Sequence, residues 1–168
     1  MSDSLINKVA ESGLITLDLE QFFPKEEIST FDLKYFLYRE LILKEKEFRE
    51  ALKQVDWSIY QHKTVAIFCS SDAILPMWAY MLISTYLIPY TTSIFYGNNE
   101  KVEYDLWIQN IKNMNATNYT NERVIIKGCG TKNVHADAYI EITKKLLPIV
   151  KSLMFGEACS TVPVFKRK

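Results

Sequence analysis

The chain has 168 residues with 20 basic and 20 acidic side chains, so its net charge is zero and no global positive field gathers nucleic acid or an anionic membrane. Hydrophobic residues make up 48% and charged residues 24%, ordinary values for a globular protein. A chain of this length is read as a single α/β domain over 1–168, large enough to bury its core without disulfide staples.

The opening Met1-Ser2-Asp3-Ser4 is polar and has no apolar run behind it, and the apolar stretch Ala73 to Ile88 is short for a bilayer and contains Pro76. The expectation is a cytoplasmic protein that spans no membrane and binds no nucleic acid. Its thiols would stay reduced there, and the 3 cysteines are an odd number for a disulfide framework.

In chain order, Leu5 to Ala10 reads as a short helix stopped at Ser12-Gly13, and Leu14 to Leu19 alternates as a first strand. Phe22 to Glu27 is a turn. Asp32 is a fair N-cap, and Leu33, Phe36, Leu37, Leu41, Phe48, Leu52 and Val55 recur at helical spacing. That predicts one long helix, or two with a break near Ile42. Lys44-Glu45-Lys46-Glu47 reads as its solvated face. Thr64 to Cys69 suits a buried parallel strand, followed by a loop to Leu75 and a helix from Pro76 to Leu87 that is apolar almost all round.

Tyr90 to Tyr96 is the next strand. Asn98 or Asn99 caps a helix carrying Val102, Leu106, Trp107, Ile111 and Met114. Arg123 to Lys127 is a further strand, and Ala136 to Phe155 is expected to be a helix kinked at Pro148 and stopped by Gly156. Thr161 to Phe165 closes the chain as an edge strand, because Pro163 lacks a ladder donor. The alternation predicts a three-layer α/β fold: a mostly parallel sheet of about five strands, helices on both faces, and an edge strand at the C-terminus. No internal repeat or interdomain linker stands out, and Lys166-Arg167-Lys168 reads as a solvated tail.

Chemistry is sought at the strand ends, where open α/β sheets place ligand groups. Cys69 and Cys129 both end strands that a single sheet would align on one edge. The predicted ligand or thiol site is therefore a crevice of Cys69, Ser70, Asp72, Gly128, Cys129 and Gly130. The amides of Gly128 to Thr131 would form an anion nest there, and Lys127 or Lys132 would stabilise a thiolate. Simple topology leaves Cys159 at the opposite edge unless the last helix bends, the last strand runs antiparallel, or a partner subunit supplies it. Cys69, Cys129 and Cys159 are candidate ligands for a transition metal or iron–sulfur cluster, although their spacing matches no zinc-finger or ferredoxin pattern. His62 reads as a solvated turn residue and His135 as a loop or capping residue. Gly-Cys129-Gly-Thr-Lys lacks the spacing of a nucleotide-hydrolysing phosphate loop.

Leu43-Lys-Glu-Lys-Glu-Phe-Arg49, Cys69-Ser-Ser-Asp-Ala-Ile-Leu-Pro-Met-Trp-Ala-Tyr80, Lys127-Gly-Cys-Gly130 and Met154-Phe-Gly-Glu-Ala-Cys-Ser-Thr-Val-Pro163 carry a resemblance. Together they resemble a bacterial family of about this length, known only as a domain of unknown function, often encoded beside Suf-type iron–sulfur assembly genes. What the resemblance implies is an accessory role in iron–sulfur or sulfur handling through the cysteines, with iron–sulfur assembly proteins as partners. The alternative is a non-enzymatic interaction or scaffolding module that forms a homodimer through the helix Met77 to Leu87 and keeps its cysteines structural.

Overall fold

The computed structural model describes residues 13–128, 130–157 and 159–168; the short helix expected at Leu5 to Ala10 lies outside them. The described residues form a mixed α/β fold with mostly parallel strands and a C-terminal antiparallel edge pair. The strands divide between two sheets, of order β1-β5-β6-β7 and β2-β3-β4. The first holds β1 (Leu14–Asp18), β5 (Arg123–Lys127), β6 (Ser152–Glu157) and β7 (Ser160–Lys166). The second holds β2 (Ile28–Asp32), β3 (Thr64–Phe68) and β4 (Ile94–Tyr96). The helices are α1 (Glu45–Lys53), α2 (Met77–Leu87), α3 (Asn99–Asn113) and α4 (Ala136–Leu146).

Two compact units result. An inserted unit runs from Lys25 to Asp105, and a split unit takes the chain up to Pro24 and again from Leu106. In the inserted unit, Phe31, Val65 and Ile67 of the sheet meet Phe48 and Leu52 of α1 and Ala79, Ile83 and Leu87 of α2 in one core. In the split unit, Leu17, Val124, Ile126 and Leu153 meet Trp107 and Ile111 of α3 and Ala138, Ile142 and Leu146 of α4 in another. Both helices of a unit thus share a core with one face of its sheet. Two right-handed crossovers that step the same way across a parallel sheet require this arrangement.

Two segments differ from the pattern read in the sequence. In place of the helix expected from Leu33 onward, a single 3₁₀ turn at Leu33–Phe36 follows β2, and α1 starts only at Glu45. Arg39 and Glu40 take positive φ of 50° and 60°, which no helix continues through, so the apparent period across Leu41 was accidental. The helix expected over Ala136 to Phe155 ends at Leu146, where the last turn before Pro148 closes on Thr143. Proline bars the next turn, and the chain re-enters the sheet as β6.

The structure also overturns the reading that the chain has no internal repeat. With one constant offset, β3 and α2 match β5 and α4 in their bounds end for end (Thr64/Arg123, Phe68/Lys127, Met77/Ala136, Leu87/Leu146). The sequence then aligns Ala79-Tyr80 with Ala138-Tyr139, Ile83 with Ile142, Pro89 with Pro148, Ser93 with Ser152 and Gly97 with Gly156. His62 and Asn121 share positive φ of 59° and 60°, and their amides donate to Tyr90 O and Ile149 O. Ser84 Oγ donates to Tyr80 O as Thr143 Oγ1 does to Tyr139 O. The opening strands match as well. Thr16-Leu-Asp18-Leu19 aligns with Thr30-Phe-Asp32-Leu33, and Asp18 and Asp32 each accept the amide two residues on. Sheet registers agree too, since Asp18 faces Lys127 as Asp32 faces Phe68.

Equivalent burial should cost equivalent stability. Leu87→Ala and Leu146→Ala, both at fully buried helix positions, are each expected to lose about 2–5 kcal/mol. Met81→Ala, at an exposed position of α2, should stay within about 0.5 kcal/mol. Urea unfolding of the three variants checks the contrast, and equal losses at Leu87 and Met81 would contradict it.

Candidate functional site

In the inserted unit, the C-terminal strand ends carry the most elaborate polar cluster. Asp32 ends β2 and caps the 3₁₀ turn, accepting Lys34 N–H at 3.0 Å. It also reaches the segment after β3: Ser70 N–H donates to Oδ1 at 3.0 Å and Ser70 Oγ to Oδ2 at 2.5 Å. One carboxylate therefore ties two strand ends together. Burial pushes its pKa up, but the Ser70 hydroxyl, the Lys34 and Ser70 amides and the Lys34 charge outweigh that, so it lies below the ordinary value. Asp32 was read from sequence only as a helix cap; its partnership with Ser70 is a tertiary contact that no local pattern announces.

Cys69 is half-buried, packs against the unit's core, and shares a 3.3 Å hydrogen bond with Ser71 Oγ. Asp72 is exposed. Beside this loop, α2, β3 and β4 enclose an apolar cavity of about 480 Å³ lined by Ile67, Met77, Tyr80, Ser84, Ile94, Phe95 and Tyr96. Tyr80 and Tyr96 meet edge to face with centroids 5.5 Å apart. Burial raises the Tyr80 pKa, and the neighbouring Tyr96 and Cys69 add to the rise. The mouth is apolar, with Met77 72% and Tyr96 66% exposed, and Met81 on the next turn is 70% exposed. No residue of α2 is charged. The corresponding helix α4 carries Asp137, Glu141, Lys144 and Lys145. The cavity was not foreseen, although the uncharged helix was its signal.

The strand ends of the split unit hold Gly128 and Gly130; Cys129 lies outside the described residues. A Cβ on Gly128 would collide with the Tyr139 hydroxyl, and one on Gly130 with the Glu20 carboxylate. These glycines admit close neighbours from the protein itself. Glu20 sits beside the expected anion nest, accepting Lys132 N–H at 2.8 Å and Thr131 Oγ1–H at 3.3 Å. Lys127 pairs with Glu157 at 3.3 Å, and Lys132 Nζ lies 4.0 Å from the Phe23 ring centroid. Both lysines expected to face a thiolate therefore have protein partners. His62 is an exposed turn residue, and His135 holds the N-cap position of α4.

The two-sheet topology regroups the cysteines. Cys69 follows β3 in one sheet, whereas Gly128 and Gly130 follow β5 in the other, so a single sheet edge does not unite the predicted crevice. The sequence puts Cys159 at the far edge unless, among other exceptions, the last strand runs antiparallel, and it does. With β6 parallel to β5 and β7 returning antiparallel, Cys159 lies in the β6–β7 turn at the same edge as Gly128, and it is exposed. Among the described residues, no group of three or more His, Cys, Asp or Glu side chains could hold a metal ion. None of their helices is long and apolar enough to cross a membrane.

The family described as "Protein of unknown function (DUF2480)" matches residues 3–167. The chain belongs to this family. No curated protein and no solved structure matches the chain.

Two measurements probe these strand ends. Asp32 has a lower pKa folded than unfolded, so its charge stabilises the fold above the unfolded-state value. That stabilisation is lost as pH falls through the folded-state value. Asp32→Asn should therefore show a shallower drop in urea midpoint below about pH 4 than the wild type. Gly128→Ala should lower the thermal midpoint through its clash with Tyr139, and adding Tyr139→Phe should recover part of the loss; additive effects would refute the contact.

Proposed function

We propose that this member of the family is a non-enzymatic interaction module that self-associates through the apolar face of its inserted unit. The observation that carries the reading is the uncharged helix α2, with Met77 and Met81 exposed beside the apolar cavity, where the matching helix α4 is charged. Exposed apolar surface around a concavity favours a partner. A chain of zero net charge puts no electrostatic penalty on a second copy. Cys69 supports the same reading, because it packs as a small apolar side chain against the core.

The test is light scattering and sedimentation of the full chain between about 1 and 100 µM. The wild type should form dimers. Met77→Glu with Met81→Lys should raise the dissociation constant more than about tenfold. The thermal midpoint should barely move, because both side chains are exposed. A wild type that stays monomeric across the range refutes the proposal.

A second reading keeps thiol chemistry, in line with the proposed accessory role in iron–sulfur or sulfur handling beside iron–sulfur assembly proteins. It is favoured by the exposed Cys159 on the sheet edge where Gly128 and Gly130 bracket Cys129 in sequence. It moves the thiol pair from Cys69 and Cys129 to Cys129 and Cys159. Anaerobic reconstitution with iron and sulfide should then give thiol-dependent absorbance that is lost in Cys129→Ser and Cys159→Ser and kept in Cys69→Ser. Absence of bound metal, or equal dependence on Cys69, would count against it.

A further inference from the structure

The repeat assigns an occupant to the open edge of the inserted unit. In the split unit, β6 is covered by β7, which runs antiparallel to it and sets Phe165 opposite Leu153. Phe165 packs against that unit's core. The counterpart of β6 is β4, with Ile94 in the place of Leu153, as the shared registers Val65–Ile94 and Val124–Leu153 fix. Among the described residues, no strand follows β4 in its sheet order. The apolar cavity lies against Ile94, the register counterpart of Leu153, which Phe165 faces in the split unit.

The edge is also chemically ready. Val65 N–H donates to Ser93 O at 2.8 Å and Gly97 N–H to Ile67 O at 3.0 Å. The alternation of a parallel ladder then turns the N–H and C=O of Phe95 inward to β3 and those of Ile94 and Tyr96 outward. Outward groups on an edge strand are a template for another strand.

We infer that two copies of this chain pair β4 with β4 antiparallel about a two-fold axis at Phe95, joining two three-stranded sheets into one. This deepens the self-association reading above and rests on it. An antiparallel arrangement is what a two-fold axis normal to a sheet imposes, and it is the arrangement that the β6 edge accepts from β7. Centring at Phe95 sets the partner subunit's Tyr96 opposite Ile94. An aromatic residue then stands opposite an aliphatic one, as Phe165 stands opposite Leu153. Each Ile94–Tyr96 pair exchanges two backbone bonds, about four in all.

The helices fit the same geometry. With strands spaced about 4.8 Å and α2 above the β3–β4 gap, the two α2 helices lie about 10 Å apart, within the range of packed helices. Met77 and Met81 would then lie in the seam between them. Strand pairing alone would be short for a stable interface, and this helix contact supplies the apolar area.

The register is tested by cross-linking and by proline. Phe95 faces itself across the axis as a non-hydrogen-bonded pair, with Cα atoms about 4.5 Å apart, close enough for a disulfide. In a background with Cys69, Cys129 and Cys159 changed to serine, Phe95→Cys should oxidise to a covalent dimer, whereas Ile94→Cys should not. In the otherwise unaltered chain, Tyr96→Pro removes an outward donor and the aromatic ring but no bond to β3. It should remain folded by circular dichroism while its dissociation constant rises at least about tenfold. A dimer that survives Tyr96→Pro and leaves Phe95→Cys uncross-linked overturns the strand pairing but leaves self-association standing. A monomeric wild type overturns both.

Discussion

Every strand of a sheet must place its backbone donors and acceptors somewhere, and the two ends of a parallel sheet cannot do so within the sheet. The two units of this chain meet that constraint differently at the same position. In the split unit, the chain turns back after Glu157 and β7 takes up the outward groups of β6, with a bulge between Leu153 and Met154 easing the register. In the inserted unit, the chain leaves β4 through Gly97 and runs straight into α3, capped where Asn98 accepts the Lys101 amide. The apolar cavity, the exposed tyrosine and the uncharged helix all cluster at the edge left open. That one asymmetry between otherwise matching halves sets the inserted unit's open edge apart from the closed edge of the split unit.

Much of the fold was legible because the local signals were strong. Thr64 to Cys69 and Arg123 to Lys127 read as strands on their apolar runs, the first ending one residue earlier in the structure, and Pro76 marks the start of α2. Pro163 pointed to an edge, and β7 is one. The errors came where a tertiary constraint overrode the period. Leu33, Phe36 and Leu37 fit a helix equally well as a 3₁₀ turn leaving a strand, and only the pairing of β2 with β3 decides between them. The sequence marks Pro148 as a kink within one helix, but Leu153 and Phe155 beyond it serve a strand whose alternation begins after the break. The repeat is faint in the sequence because its two copies share mainly buried and turn positions, such as Ala79/Ala138 and Pro89/Pro148. Their surfaces have diverged.

The same divergence explains what could be read of the candidate site. Strand ends were the right places to look, and Ser70 does engage a carboxylate, Asp32. The grouping of thiols depended on how many sheets the strands form, which no local pattern states. Equivalent loops have also taken different roles. Cys69 occupies the position that Gly128 holds in the other copy, where the Tyr139 hydroxyl leaves no room for a side chain. A cysteine at one of two matching sites, and a glycine at the other, indicates that packing sets the residue there at least as much as reactivity does.

The order of the strands along the chain has a consequence for how the molecule is made. Leu14 pairs with Arg123, so β1 leaves the ribosome long before its neighbour exists. The inserted unit, whose strands and helices all fall between Lys25 and Asp105, can close while the rest is still being synthesised. The split unit can close only after a loop spanning that whole unit has been drawn shut. Loop-closure entropy grows slowly with length, so the delay costs time rather than stability. Nascent chains should therefore pass through a stage with one finished half and an unpaired first strand, and that stage is where this protein is most exposed to aggregation or to a chaperone.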